Sequence, residues 1–265
     1  QQRYGVPPGP LIAIWGMESG FGSQRGNQNM LSSIATLAYD CRRPEFFTEQ
    51  LYAALKLIDR GSLSGSTRGS MHGEIGQTQF MPKNVLAYGT GNLDVAANAL
   101  ASTANYLRRN GWVPGQAWGA EVQLPPGFNM GLVGKGTRRS DWAAQGVRRI
   151  GGGALPSGNG SIIMPAGANG PAFLILDNFR SILRYNNSDN YALGVAFLGE
   201  RIAGRPGIQG SWPRNDRPLS TSERQEIQQR LRAPVVAVGQ GHQRAGEGPG
   251  MLGQGAADHL PLAVE

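Results

Sequence analysis

The stretch Ile14-Trp15-Gly16-Met17-Glu18-Ser19-Gly20-Phe21-Gly22 decides how this chain is read. Pro10 stands at a first-turn position, where a helix tolerates proline. Leu11, Ile14, Trp15 and Glu18 then fall at i, i+3, i+4 and i+7 before Gly20 and Gly22 stop the run. One helical face therefore carries three apolar side chains and a carboxyl group. At a helix end that group either turns toward the apolar side or swings out to solvent, and periodicity leaves both open. Burial without a cationic partner raises a carboxyl pKa, which suits a general acid working near neutrality.

Other helices follow outward from this one. Phe47, Leu51, Leu55 and Ile58 form an apolar stripe over Pro44 to Arg60, closed by Gly61. Asp94 is a candidate N-cap for Val95 to Asn110, and Tyr191 to Ala203 repeats the pattern through Val195, Leu198 and Ile202. Between Gln116 and Leu176 the chain turns glycine-rich, with short β-like runs at Glu121–Leu124, Ser161–Met164 and Ala172–Leu176; Asp177 then caps a helix leading to Arg184. The fold class is α+β, mainly helical, with a small strand-containing insertion over about 116–176.

Composition removes several functions. The 265 residues fit one large domain or one domain with an appendage. The hydrophobic share is 40%, with no long apolar run, so no transmembrane helix is expected. A single cysteine, Cys41, permits no internal disulfide, and His72, His242 and His259 share no ligand spacing; no metal is expected. The net charge of +7 favours an anionic partner. Only three of the basic residues are lysines (Lys56, Lys83, Lys135), and the arginines are scattered singly and in pairs without the motif of a nucleic-acid module, so no nucleic-acid partner is expected. The chain starts Gln-Gln-Arg and reads as processed, cut or cloned internally, so localisation has to come from function.

Two polar stretches could carry chemistry. Ser70-Met71-His72-Gly73-Glu74-Ile75-Gly76-Gln77-Thr78-Gln79-Phe80-Met81-Pro82 offers close backbone approach and uncharged donors and acceptors of the kind that hold sugar hydroxyls and acetamido groups. Arg184-Tyr185-Asn186-Asn187-Ser188-Asp189-Asn190-Tyr191 is an Asn-rich turn flanked by tyrosines. Read singly, each is an ordinary polar loop.

Together with the opening stretch they resemble, in order and spacing, the membrane-bound lytic murein transglycosylase B family. The resemblance runs through Ile34-Ala35-Thr36-Leu37-Ala38-Tyr39, Arg42-Arg43, Phe46-Phe47 and Gly76 to Pro82. It continues through Ala104-Asn105-Tyr106-Leu107, Gly111-Trp112, Trp142 to Val147, Gly170 to Leu174, and Tyr185-Asn186 to Tyr191-Ala192-Leu193, covering roughly Tyr4 to Gly204. It implies a lysozyme-like fold with Glu18 as the single catalytic acid/base. Ser70, Gln77, Gln79, Asn186, Tyr185, Tyr191 and Phe46 would line the sugar subsites, Phe46 standing where a relative has Tyr.

The implied reaction cleaves the β-1,4 bond between N-acetylmuramic acid and N-acetylglucosamine without water. Ordinary glycosidases need a second carboxylate; here the muramyl C6 hydroxyl attacks C1 and closes a 1,6-anhydro ring, aided by the large effective molarity of an intramolecular nucleophile. Glu74 is the one other carboxylate inside a motif, and if it faced Glu18 a hydrolytic muramidase would gain ground. A non-catalytic peptidoglycan-binding protein is the third reading. The implied partner is the glycan strand and the implied compartment the periplasm or cell envelope, with a monomer expected and no cofactor. A signal or lipid anchor ahead of Gln1 would allow membrane association. Some relatives carry a calcium loop; here Ala87 to Asp94 offers one carboxylate, too few for calcium.

The expected domains are a catalytic domain over 1–204, a proline-bearing linker over 205–218, and a helix over 219–232 that resembles the start of a peptidoglycan-binding domain. A disordered tail over 233–265 completes them, since the pattern stops at Arg232-Ala233-Pro234. The break is expected from a reading-frame change or truncation.

Overall fold

In the computed structural model, which describes residues 1–213 and 219–232, Pro8 and Pro10 open α1 (Pro8–Ser19) and Gly20 ends it in the left-handed region at φ 55°. Helix α2 (Met30–Tyr39) follows, capped by Asn29, whose side chain accepts the Ser32 N–H. Sequence periodicity passes over this helix because it buries only Met30 and Ile34 fully. Helix α3 (Pro44–Asp59) forms as expected but rolls its buried stripe onto Phe47, Gln50, Ala53, Ala54 and Leu57, leaving Leu55 exposed. Small alanines allow close packing on that side, and Gln50 turns inward to accept the Lys83 N–H at 3.0 Å.

A short α4 (Pro82–Tyr88) leads to α5 (Ala96–Arg109). Val95 rather than Asp94 occupies the N-cap position of α5, because the Asp94 carboxylate is paired with Arg25 at 2.9 Å. Asp177 is likewise the first residue of α6 (Asp177–Tyr185) and not its cap; it faces Arg138 at 2.5 Å. Ser188 caps α7 (Asp189–Ile202), which begins two residues before the Tyr191 read from periodicity.

Among the described residues, six strands make two small antiparallel sheets. β1 (Gln28–Asn29) pairs with β2 (Arg68–Gly69). The larger sheet holds β3 (Gly119–Gln123), β4 (Arg148–Arg149), β5 (Ser161–Ile163) and β6 (Ala172–Ile175) in the order β4-β3-β6-β5, with Gly119 opposite Ile175 and Ile163 opposite Phe173. Three of these strands, β3, β5 and β6, overlap the short β-like runs read from the sequence; β4 has two exposed arginines at the edge and leaves no apolar trace. Alternate residues of β6 face opposite ways. Phe173 and Ile175 join the helical core with Ile14, Leu107, Phe179 and Val195, while Ala172 and Leu174 join a second cluster around Trp142 and Val147.

The chain divides into two compact units, Gln1–Ser211 and Trp212–Glu265. The first continues past the expected boundary at Gly204, because the buried Glu121 carboxylate accepts the N–H groups of Gln209 (2.8 Å) and Gly210 (2.6 Å) and holds that segment down. In the second unit, α8 (Thr221–Arg232) starts with a capping box. Ser220 Oγ accepts the Glu223 N–H and Glu223 accepts the Ser220 N–H at 2.8 Å. Ile227 on this helix is exposed. The expected tail over 233–265 lies outside the described residues.

Candidate active site

Glycines bring the site together. A Cβ on Gly9 would stand 2.5 Å from the Gly199 carbonyl oxygen, and one on Gly194 would meet the Met17 methyl at 3.1 Å. Only missing side chains let α1 and α7 cross so closely. Gly9 opposite Gly199 at one end and Met17 opposite Gly194 toward the other fix an antiparallel register that sets Glu18 against Tyr191.

The Tyr191 hydroxyl donates to Glu18 Oε1 at 2.6 Å. Burial raises the Glu18 carboxyl pKa to about 7; the Tyr191 bond opposes the rise, and the negative charge of Glu74 adds to it. Glu18 therefore turns inward, resolving the choice that periodicity leaves open. Burial and the Glu18 charge push the Tyr191 phenol well above its ordinary value, so it remains the donor.

The helix end that carries Glu18 is pinned by Gln77. Ser19 Oγ donates to the Gln77 carbonyl at 2.5 Å and accepts the Gly22 N–H at 2.9 Å. The Gln77 side chain accepts from Trp15 Nε1 at 2.9 Å and donates to the Asp94 carbonyl at 2.6 Å. Its amide is thus engaged on both ends with protein partners. Phe21 packs edge-on to Trp15 at 5.4 Å, and both Phe21 (φ 59°) and Gln79 (φ 51°) hold left-handed backbone, a strain that clusters at functional sites.

Ser70 and Glu74 form a second polar unit. Ser70 Oγ donates to Glu74 Oε2 at 2.6 Å and accepts the N–H groups of His72 (3.1 Å) and Glu74 (3.2 Å). Gly73 at φ 87°, whose Cβ would come 2.2 Å from Ile34 Cγ1, makes this turn possible. The Ser70…Glu74 spacing of four was visible in the sequence, but only the fold shows that the Glu74 charge reaches Glu18.

The other candidates divide. The Tyr185 hydroxyl donates to the Thr78 carbonyl, and its ring stacks edge-on with Phe80 and Tyr106. Asn186 follows the end of α6 with its side-chain amide unbonded among the described residues. Gln79 Nε2 donates to the Gly76 carbonyl at 2.9 Å. Phe46 lies under the Arg43 guanidinium, whose central carbon is 4.3 Å from the Phe46 ring centre. Two hollows lined mainly by the insertion, of about 450 and 1030 Å³, have no carboxyl group among their lining residues. Among the described residues no three His, Cys, Asp or Glu side chains gather as a metal site, and the Asp94 carboxylate is paired with Arg25 at 2.9 Å.

Comparison with known proteins gives the family. Membrane-bound lytic murein transglycosylase B of Escherichia coli K12 is 32% identical over 76% of this chain and 58% of its own length. SltB3 of Pseudomonas aeruginosa, solved with NAG-anhNAM-pentapeptide, matches with TM-score 0.80 and 46% identity over 87% of this chain and 65% of its own. The E. coli lytic transglycosylase Slt35, solved with bulgecin A, matches with TM-score 0.68 and 30% identity over 76% of this chain and 67% of its own. The chain thus spans less than two thirds of the first two relatives. Its residues 1–200 match the Transglycosylase SLT domain, and the chain belongs to that family.

Proposed function

We propose that the first unit is a lytic transglycosylase that cleaves the β-1,4 bond between N-acetylmuramic acid and N-acetylglucosamine in peptidoglycan and leaves 1,6-anhydromuramic acid ends. The observation that carries this reading is the Glu18 carboxyl, raised to about 7 by burial and held by Tyr191. Protonated near neutrality, it donates to the leaving oxygen as the C1–O bond breaks. The carboxylate so formed takes the proton of the C6 hydroxyl as that oxygen bonds C1, and Glu18 is restored. The anhydro sugar bound in the Pseudomonas relative supports the same outcome.

Of the binding residues, the unbonded Asn186 amide and the Gln79 side-chain oxygen are the polar groups best placed to meet sugar. Tyr185 and Tyr191 give the groove its aromatic wall, Phe46 adds an apolar contact under Arg43, and Gln77 serves by fixing the helix end behind Glu18. The site of action is the cell wall on the periplasmic side. No helix among the described residues is long and apolar enough to cross a membrane.

A second reading, hydrolysis by a muramidase, is favoured by one observation, the Glu74 charge felt at Glu18. Mass spectrometry of muropeptides released from purified sacculi separates the two: anhydro ends support the transglycosylase, and reducing ends the muramidase. A Glu18→Gln variant as active as the parent would remove Glu18 as the acid, and a parent that releases no muropeptide would leave only a binding protein.

A further inference from the structure

The two arginines of the edge strand β4 are used differently. Arg148 spends its guanidinium on the carbonyls of Ala143 (2.8 Å) and Val147 (3.0 Å), whereas Arg149 is exposed and forms no salt bridge or side-chain hydrogen bond among the described residues. Arg149 stands opposite Val122, which on its other side stands opposite Ala172. Directly opposed residues share a face of the sheet, so the guanidinium leaves from the apolar face that Val122 and Ala172 give to the Trp142 cluster. An unpaired cation therefore stands beside buried hydrocarbon.

That face lines the hollow of about 1030 Å³, which lies within the first unit, has Phe128 and Met164 along it and has no carboxyl group among its lining residues. Glu121 adjoins Val122 on β3 and so points to the other face, where both its oxygens are taken by the Gln209 and Gly210 N–H groups. A hollow of this size suits a short oligomer. Apolar lining with one unpaired guanidinium selects a ligand that joins small aliphatic groups to a carboxylate, and a short acidic peptide has both. The lining residue Met130 is five positions from Lys135, at most about 18 Å, which is also the span of an extended five-residue peptide. Lys135 in turn pairs with Asp189 at 3.0 Å, two positions before Tyr191 and its bond to Glu18.

We propose that this hollow is a subsite for the carboxylate-bearing peptide arm of the muramyl sugar, with Arg149 pairing a carboxylate of the arm and Val122, Phe128 and Met164 taking its aliphatic side chains. This deepens the transglycosylase reading above and rests on it. A strand whose sugar sits at Glu18 and whose arm reaches the hollow is held at two linked points, so the arm adds affinity without a new contact at the reacting bond. The second tie lowers KM for strands that carry peptides and leaves the chemistry to Glu18.

The test compares soluble glycan strands that keep their peptides with strands stripped of them at the lactyl amide, for the parent chain, Arg149→Glu, Arg149→Ala and Arg149→Lys. Thermal unfolding of each and calorimetric titration of the free pentapeptide accompany it. The parent is expected to favour peptide-bearing strands in kcat/KM by about tenfold, the worth of one charge-assisted contact, through KM and not kcat. Arg149→Glu loses that preference and binds the free peptide at least tenfold more weakly, while Arg149→Lys keeps most of both; should the charge reversal fail to fold, Arg149→Ala decides by the same ratio. The proposal is overturned if the parent shows no preference, if the folded variants without the cation keep it, or if the free peptide binds them as it binds the parent. A parent dimer that Arg149→Glu dissociates also overturns it, since the hollow would then be an interface between copies. A parent that releases no anhydro ends from either strand, yet binds the free peptide through Arg149, overturns the transglycosylase reading and leaves the peptide site standing.

Discussion

The Tyr191 phenol meets Glu18 Oε1 at 2.6 Å where α1 and α7 cross, and this bond tempers the rise in the Glu18 pKa that burial causes. Because the bond favours the charged form of Glu18, Tyr191→Phe raises the Glu18 pKa further. The alkaline limb of the kcat/KM profile, expected near pH 7 in the parent, moves to higher pH in the variant while the maximal rate falls about tenfold with the lost orientation. An alkaline limb that stays put, or moves toward acid, contradicts this assignment.

The glycine crossing yields a prediction about packing. Gly9→Ala sets a methyl 2.5 Å from the Gly199 carbonyl, so the helices must separate. Overpacking of this kind costs about 1–3 kcal/mol, and it draws Glu18 away from Tyr191. Denaturant unfolding shows the loss of stability, and the specific activity of the folded fraction falls as well. A folded fraction with parental activity would mean that the register at the other end of the crossing is set by something else.

Linkage between Glu18 and stability has a defined sign. Below about pH 4.5 the carboxyl is protonated in both folded and unfolded chains, and its favourable contribution is complete. Between there and about pH 7 the unfolded chain releases the proton while the folded chain keeps it, so stability falls as pH rises, by on the order of 3 kcal/mol in total. Glu18→Gln lacks this dependence. Unfolding free energies of parent and variant should diverge in favour of the variant from pH 4 to 8; parallel curves would show an unperturbed carboxyl.

Gln77 and Asn186 separate structural from binding roles. Gln77→Ala removes the side-chain bonds to Trp15 and the Asp94 carbonyl and should destabilise the fold by about 1–3 kcal/mol. Asn186→Ala breaks no side-chain bond among the described residues, so its melting temperature should match the parent while KM for glycan strands rises several-fold. The reverse pattern would exchange the two roles.

Most of the helices were legible because apolar residues recur with the helical period, as Leu11, Ile14 and Trp15 do in α1, and three strands of the larger sheet because short β-like runs stand among glycine-rich turns, as Ala172 to Leu176 does for β6. Periodicity missed α2, whose buried stripe is two residues, and β4, whose arginines face solvent at an edge. It also misjudged the rotation of α3, because Gln50 is buried by a bond to a distant backbone N–H that no local pattern reveals. In the site, Glu18 stood out as a carboxylate on an apolar face. Its inward turn was undecidable locally, since Tyr191 lies 173 positions away. Ser70 was legible as polar and near the site, but its saturation by Glu74 exists only once the turn is closed.

The most direct test of the central claim, that the Glu18 proton serves a reaction without water, is digestion of sacculi in oxygen-18 water followed immediately by mass spectrometry of the new muramyl ends. The account predicts products one water lighter than the reducing form and free of the heavy isotope, and none from Glu18→Gln. New ends that carry heavy oxygen from the solvent would contradict it.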